Sequence, residues 1–175
     1  MDLKSKIRTV PDWPKKGIMF RDITTLLQDP EAFKFVIDKF YERYKEKDID
    51  IVVGIESRGF IFGATLAYKL SCSFVPIRKE GKLPHQTMKE EYSLEYGKAV
   101  VEIHKDAITK GQKVLIVDDL IATGGTCVAA INLVNYLNGE IVECAFVIEL
   151  SDLKGKEKIE NKGQKVFSLV EFKGE

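Results

Sequence analysis

Apolar residues along this chain follow two rhythms, short continuous runs and helically spaced sets, and their alternation predicts a fold. From Pro30 to Tyr44, apolar side chains stand at Phe33, Val36, Ile37, Phe40, Tyr41 and Tyr44, the i, i+3, i+4 spacing of an amphipathic helix. Asp29 is a natural N-cap for it, and Pro30 sits at the first helical position, where its missing N–H is no loss. Ile49–Ile55 (IDIVVGI) reads as a buried strand and Arg58–Leu70 as a helix whose glycines allow close approach to a sheet. Ser73–Ile77 (SFVPI) gives another short strand, and Lys98–His104 (KAVVEIH) alternates like a half-exposed one. Val114–Val117 is apolar throughout, as in a strand buried on both faces, and Gly125–Leu137 is helical up to its stop at Asn138 and Gly139. EIVECAFVIEL and KVFSLV supply the last strands. Such alternation predicts an α/β fold, a mostly parallel twisted sheet flanked by helices, with ligands at the carboxyl ends of strands. Residues 79–91 show neither period and contain Gly81 and Pro84, so a long surface loop is expected there.

Composition narrows the function classes. A chain of 175 residues with 45% hydrophobic content can bury one core without disulfide staples. Lys plus Arg equals Asp plus Glu at 27 each, so no net field draws the protein to nucleic acid or an anionic membrane, and neither is expected as a partner. The N-terminus is charged and broken by Pro11 and Pro14, unlike a signal peptide, and no apolar run approaches the roughly 18 residues of a membrane span. A cytoplasmic location is therefore expected. Cys72, Cys127 and Cys144 are odd in number and lack metal-ligand spacing, which points to reduced thiols. His85 and His104 stand alone and attract no role.

The chemistry concentrates in Val114–Thr126, VLIVDDLIATGGT. Asp118 and Asp119 are poor strand residues that belong at the strand's end. Ala122, Thr123, Gly124, Gly125 and Thr126 then sit where strand hands over to helix, so free backbone N–H groups and the helix dipole offer a site for phosphate. Carboxylates just upstream cannot bind that phosphate, but they accept hydrogen bonds from vicinal sugar hydroxyls, directly or through hydrated Mg²⁺. The loop lacks the Gly-Lys-Ser/Thr ending of a triphosphate-binding loop and the G-x-G-x-x-G of a dinucleotide fold. A phosphorylated ribose remains. The plainer alternative is a tight turn with Asp119 or Thr123 as N-cap. A second strand-to-helix turn, GIESRG at Gly54–Gly59, offers another anion site, its own plainer alternative being a turn capped by Ser57.

VLIVDDLIATGGT resembles the ribose-phosphate signature of the type I phosphoribosyltransferase family. GIMFRDITTLL (Gly17–Leu27), GIESRGFIFG (Gly54–Gly63) and RKEGKLPHQTMKEEYSLEYG (Arg78–Gly97) resemble, in the same order, the members of that family that act on adenine. The resemblance covers nearly the whole chain. It implies a single domain with residues 1–29 as a hood over the base and residues 79–93 as a flexible catalytic loop. It also implies transfer of the phosphoribosyl group of 5-phosphoribosyl 1-pyrophosphate to adenine in purine salvage, giving AMP and pyrophosphate, with Mg²⁺ held by no direct protein ligand and a homodimer as the working form.

Site roles follow from the same resemblance. Glu56, Ser57 and Arg58 form the pyrophosphate loop, with a cis peptide between Glu56 and Ser57. Arg78, Lys79 and Lys82 add positive charge for the leaving group, to which Arg binds bidentately and Lys as a point charge. Phe20 and Leu120 sandwich the purine, the backbone of Met19 and Arg21 reads its edge, and Arg58 lies near its ring nitrogens. Glu95 in SLEYG is the general acid/base, because adenine loses a proton as N9 attacks. Tyr96 closes over the site, and Asp118 and Asp119 hold the ribose.

Overall fold

The first elements pack as a polar hairpin on an apolar base. In the computed structural model, which describes residues 1–93 and 97–173, strands β1 (Arg8–Pro11) and β2 (Met19–Asp22) pair antiparallel, with Arg8 opposite Asp22. Helix α1 (Thr24–Gln28) follows, and Ile23 and Leu26 bury into the core beneath. Helix α2 (Pro30–Tyr44) starts as its sequence predicts: the Asp29 carboxylate accepts from Glu31 N and Ala32 N, each at 3.1 Å. Its buried face is Ala32, Val36, Ile37, Phe40 and Tyr44, so Phe40 alone removes enough apolar surface to be worth roughly 2–3 kcal/mol.

Strand β3 (Ile51–Ile55), helix α3 (Arg58–Leu70) and strand β4 (Ser73–Lys79) form a β-α-β unit, then β5 (Thr87–Ser93) and β6 (Lys98–His104) form an antiparallel pair. Strand β7 (Lys113–Ile121), helix α4 (Gly125–Tyr136), strand β8 (Glu140–Leu150), helix α5 (Gly155–Glu160) and strand β9 (Val166–Phe172) complete the fold. Among the described residues, seven strands make one sheet in the order β5-β6-β4-β3-β7-β8-β9. It is parallel from β4 through β9 and antiparallel at the β6 edge. Every residue of β3 is buried. Ile51, Val53 and Ile55 enter the core under α4, while Val52 faces the core of α2 and α3, as a strand covered on both faces requires.

Two expectations are corrected. Residues 87–93 are not loop: they pair with β6 from Thr87↔His104 to Ser93↔Lys98. Met88, Glu90 and Tyr92 take the inward positions, and the period of 2 is masked because one of them is a Glu, held by Asn132 Nδ2 at 2.6 Å. Strand β7 also continues beyond Val117 through both acids, because β8 carries on the ladder with Asp118↔Phe146 and Leu120↔Ile148. Its other neighbour, β3, stops at Gly54↔Val117. The acids thus stand where β7 has a strand partner on one edge only.

The sheet order reverses direction at β3: β4 follows on one side and β7 lies on the other. That is a topological switch point, whose crevice outside the strand ends is where open α/β sheets take ligands. No helix among the described residues is long and apolar enough to cross a membrane. Cys72, Cys127 and Cys144 are free thiols, as the sequence reading has them.

Candidate active site

At the switch point lies a cavity of about 250 Å³ lined by Ile55, Glu56, Ser57 and Arg58 from one turn and by the run Asp118–Cys127 from the other. Tyr92 and Phe146 complete the wall. The fold therefore brings together the two turns that the sequence marks as anion sites, together with both acids and Leu120.

Neither turn is an ordinary capped helix start. Ser57 stands at the N-cap position of α3 and Gly124 at that of α4, and neither offers a side-chain hydrogen bond to the first turn. Gly124 has φ +76°, a conformation that glycine adopts without strain. The plainer alternatives, a Ser57 cap and an Asp119 or Thr123 cap, are thus not what the chain adopts. What remains is two helix N-termini facing one cavity with orphan N–H groups and the positive ends of their dipoles. The Glu56–Ser57 peptide is cis, as the family resemblance implies. Gly59 lets α3 start against the end of β7, since a Cβ there would stand 2.8 Å from both Asp118 Oδ1 and the Val117 carbonyl oxygen.

The acids are poorly compensated. Asp118 Oδ1 accepts from Asp119 N at 2.8 Å, and Asp119 Oδ2 lies 2.9 Å from Arg58 Nε. Burial pushes the Asp118 carboxyl well above its ordinary value, and the neighbouring Asp119 charge pushes the same way. Burial also raises Asp119, while Arg58 opposes the rise. Two adjacent carboxylates in a low-dielectric pocket with one guanidinium between them would be relieved by hydroxyl donors or a cation.

Around this centre the other sequence-marked residues fall into separate groups. Arg58 also reaches the hood: its guanidinium carbon is 5.7 Å from the Phe20 ring centroid, and Trp13 packs edge-on to Phe20 at 4.4 Å. The Arg21 side chain points elsewhere, donating to Thr9 Oγ1 at 2.6 Å and covering the Phe172 ring, so only its backbone can serve the base side. Met19, Phe20 and Arg21 lie in β2 and do not line the cavity.

Arg78, Lys79 and Lys82 do not line it either. The Arg78 guanidinium donates to the Glu56 carboxylate at 3.0 and 3.3 Å and to the Lys82 carbonyl at 3.2 Å, while Lys79 N donates to Glu56 at 2.9 Å. The hydrogen bonds from Arg78 hold the Glu56 carboxyl below its ordinary value against the opposing effect of burial. Glu56 thus ties the turn between β3 and α3 to the end of β4, with its side chain committed to that link. Glu95 and Tyr96 lie outside the described residues.

Sequence reasoning missed Tyr92 and Glu102. Tyr92 takes an inward position in β5, but the inward Glu90 hides the period of 2 that would have pointed to it. Glu102 is 2% exposed and accepts from Lys82 N and Leu83 N, both at 3.1 Å, which pins the base of the turn after β4. Only its register opposite Arg78 in β6 explains that placement.

The family model for a phosphoribosyl transferase domain matches residues 22–175. An adenine phosphoribosyltransferase of Desulfosudis oleivorans is 63% identical over 175 residues, covering 100% of both chains. Among solved structures, the adenine phosphoribosyltransferase of Thermoanaerobacter pseudethanolicus superposes with a TM-score of 0.93 at 47% identity, covering 98% of each chain. That of Saccharomyces cerevisiae, solved with an imino-altritol bisphosphate and adenine, gives a TM-score of 0.91 at 44% identity over 97% of each.

Proposed function

The chain belongs to the adenine phosphoribosyltransferase family, and from that premise we propose how its site moves the 5-phosphoribosyl group of 5-phosphoribosyl 1-pyrophosphate onto adenine, releasing pyrophosphate and forming AMP for purine salvage. One observation carries the assignment of roles: two uncapped helix starts and the Asp118–Asp119 pair share a single cavity. A donor with phosphate at one end, pyrophosphate at the other and a diol between matches that order of groups.

In this reading the backbone N–H groups of 122–126 hold the 5-phosphate, and Asp118 and Asp119 accept from the ribose hydroxyls. Ser57 and Arg58 receive pyrophosphate, Arg78 and Lys79 add charge from the end of β4, and Lys82 comes to it when the turn after β4 closes. As adenine N9 bonds to the anomeric carbon, the bond from that carbon to the pyrophosphate oxygen breaks and the N9 proton must leave. Glu95 takes the acid/base role, with Tyr96 excluding water. Phe20 and Leu120 flank the purine, and backbone groups at Met19 and Arg21 distinguish an amino from an oxo substituent, since mismatched acceptors would face each other.

Mg²⁺ is the cofactor of this reading. Two adjacent carboxylates, one engaged by Arg58, suit an ion that keeps most of its waters and its phosphate oxygens as ligands. Asp118 and Asp119 would hold it through water, and when bound it neutralises charge on the leaving group. The same reading has the enzyme in the cytoplasm as a homodimer, with the exposed Ile61 and Tyr68 of α3 as apolar surface for a second copy.

Incubation with Mg²⁺, 5-phosphoribosyl 1-pyrophosphate and labelled adenine, hypoxanthine or xanthine tests the assignment. Nucleotide is expected from adenine alone. Absence of AMP overturns the reading, and nucleotide formed equally from hypoxanthine overturns the base pocket while sparing the donor half.

A further inference from the structure

The segment after β8 contributes nothing to the cavity wall, yet it touches the phosphate turn backbone to backbone. Lys154, at φ +55°, turns the chain into α5. Gly155 then lies flat on the turn: a Cβ on it would stand 2.2 Å from the Ala122 carbonyl oxygen, 2.8 Å from Gly124 N and 2.9 Å from the Ile121 side chain. The contact is reciprocal, since a Cβ on Gly124 would meet the Gly155 carbonyl oxygen at 2.9 Å and its Cα at 3.1 Å. Helix α5 is anchored by Ile159, which is fully buried in the core under α4. On the other side of the turn, a Cβ on Gly125 would meet the Ser93 carbonyl at 3.3 Å and the Tyr92 ring at 3.4 Å. The turn is gripped between α5 and the end of β5.

We propose that Gly155 is a positioning residue for the 5-phosphate cradle: by lying against 122–124 without a side chain, it sets the curvature that lets the N–H groups at the start of α4 converge on one anion. The proposal rests on the reading of that turn as the phosphate site. The Gly124 conformation alone does not define the curvature, because glycine is free to take several, and a support from outside selects one. A methyl at Gly155 must displace backbone rather than a flexible side chain, so the cradle moves and the rest of the cavity does not.

The test is Gly155→Ala in the full chain, with binding of ribose 5-phosphate and of adenine measured separately by calorimetry alongside steady-state kinetics. Misplacement of a binding group by about 1 Å weakens function roughly ten- to hundredfold, so ribose 5-phosphate affinity should fall and KM for 5-phosphoribosyl 1-pyrophosphate rise by that factor. Adenine affinity should change less than about twofold on the additivity of separate sites. Equal loss toward both ligands, or a lower melting temperature with unchanged kinetics, overturns the proposal and leaves Gly155 a packing residue. Should Gly155→Ala fail to fold, Ile159→Val loosens the anchor more gently, and the same selective rise in KM is expected; an unselective effect or none overturns the proposal. Thr126→Glu separates this from the underlying reading, because it sets a carboxylate among those N–H groups: if it leaves ribose 5-phosphate binding intact, the turn is not the phosphate site. If it weakens binding while Gly155→Ala does not, only the support by Gly155 fails.

Discussion

Glu143 and the Asp118–Asp119 pair are acids set into neighbouring strands, and their surroundings are opposite. Glu143 stands early in β8, opposite Leu115, and Asp118 stands three positions further along the same ladder, opposite Phe146. The Glu143 carboxylate accepts from Arg43 at 2.7 and 2.8 Å and from Tyr44 Oη at 2.7 Å, with Lys47 at 3.8 Å. Burial alone would raise it, but the hydrogen bonds from Arg43 and Tyr44 and the charge of Arg43 outweigh that and hold it below its ordinary value. Among the described residues, Asp118 and Asp119 have Arg58 as their one cationic partner and are raised. Among the three longest helices the starts also differ, Asp29 capping α2 while α3 and α4 begin uncapped at the cavity. At Glu143 and at the start of α2, the polar groups are satisfied by the chain itself. At the switch point they are left for a ligand, the pattern by which perturbed groups in a cleft mark a functional site.

If that contrast is right, the two acids fail differently when neutralised. Asp119→Asn keeps shape and removes the charge, so kcat/KM for 5-phosphoribosyl 1-pyrophosphate should fall at least about 100-fold, some 2.7 kcal/mol of transition-state stabilisation. Its melting temperature should not fall. A variant that loses stability and keeps turnover would reverse the roles assigned here.

Glu143→Gln is the mirror experiment. It leaves Arg43 without its carboxylate; breaking a fully buried pair costs about 3–5 kcal/mol, discounted here to about 2 kcal/mol because Arg43 is 36% exposed and partly solvated. KM for both substrates should stay unchanged. Because the folded Glu143 value is lowered, its stabilisation is present above the ordinary carboxylate range and is lost as pH falls through the lowered value. Urea titrations at pH 7 and near pH 3 should therefore show wild type converging on the variant. A constant difference would mean that the charge is not the cause.

How much of this was legible beforehand depends on the range of the contacts. The Asp29 cap, the α3 and α4 spans and the strand-to-helix turn between β7 and α4 rest on neighbouring residues, and each was readable. β5 was not, because its inward Glu90 hid the alternation and only Asn132, 42 residues away in sequence, makes that position tolerable. The extension of β7 through two acids depends on β8 outlasting β3. The commitment of Arg78 to Glu56 and the contact of Gly155 with the turn before α4 are likewise tertiary facts without a local pattern.

The smallest effect is the most discriminating, because it has the opposite sign from ordinary damage. Asp118 holds its proton more tightly in the folded protein than in the unfolded chain. The stability linked to that proton is fully present below the ordinary carboxylate value of 3.8 and is lost as pH rises through the raised folded value. Asp118→Asn carries a neutral side chain at every pH, so it escapes that loss. At pH 8, without ligands, it should be more stable than wild type by on the order of 1 kcal/mol, the scale of relieving one poorly compensated polar group in a pocket. The gain should shrink toward zero as pH approaches 4, where wild type folds with the same group protonated. Ribose 5-phosphate should reverse the order, stabilising wild type through hydroxyl contacts that a neutral amide accepts less well than a carboxylate. Melting curves across pH with and without that ligand read both signs. A variant less stable than wild type at pH 8 would mean that Asp118 is satisfied by the fold, as Glu143 is.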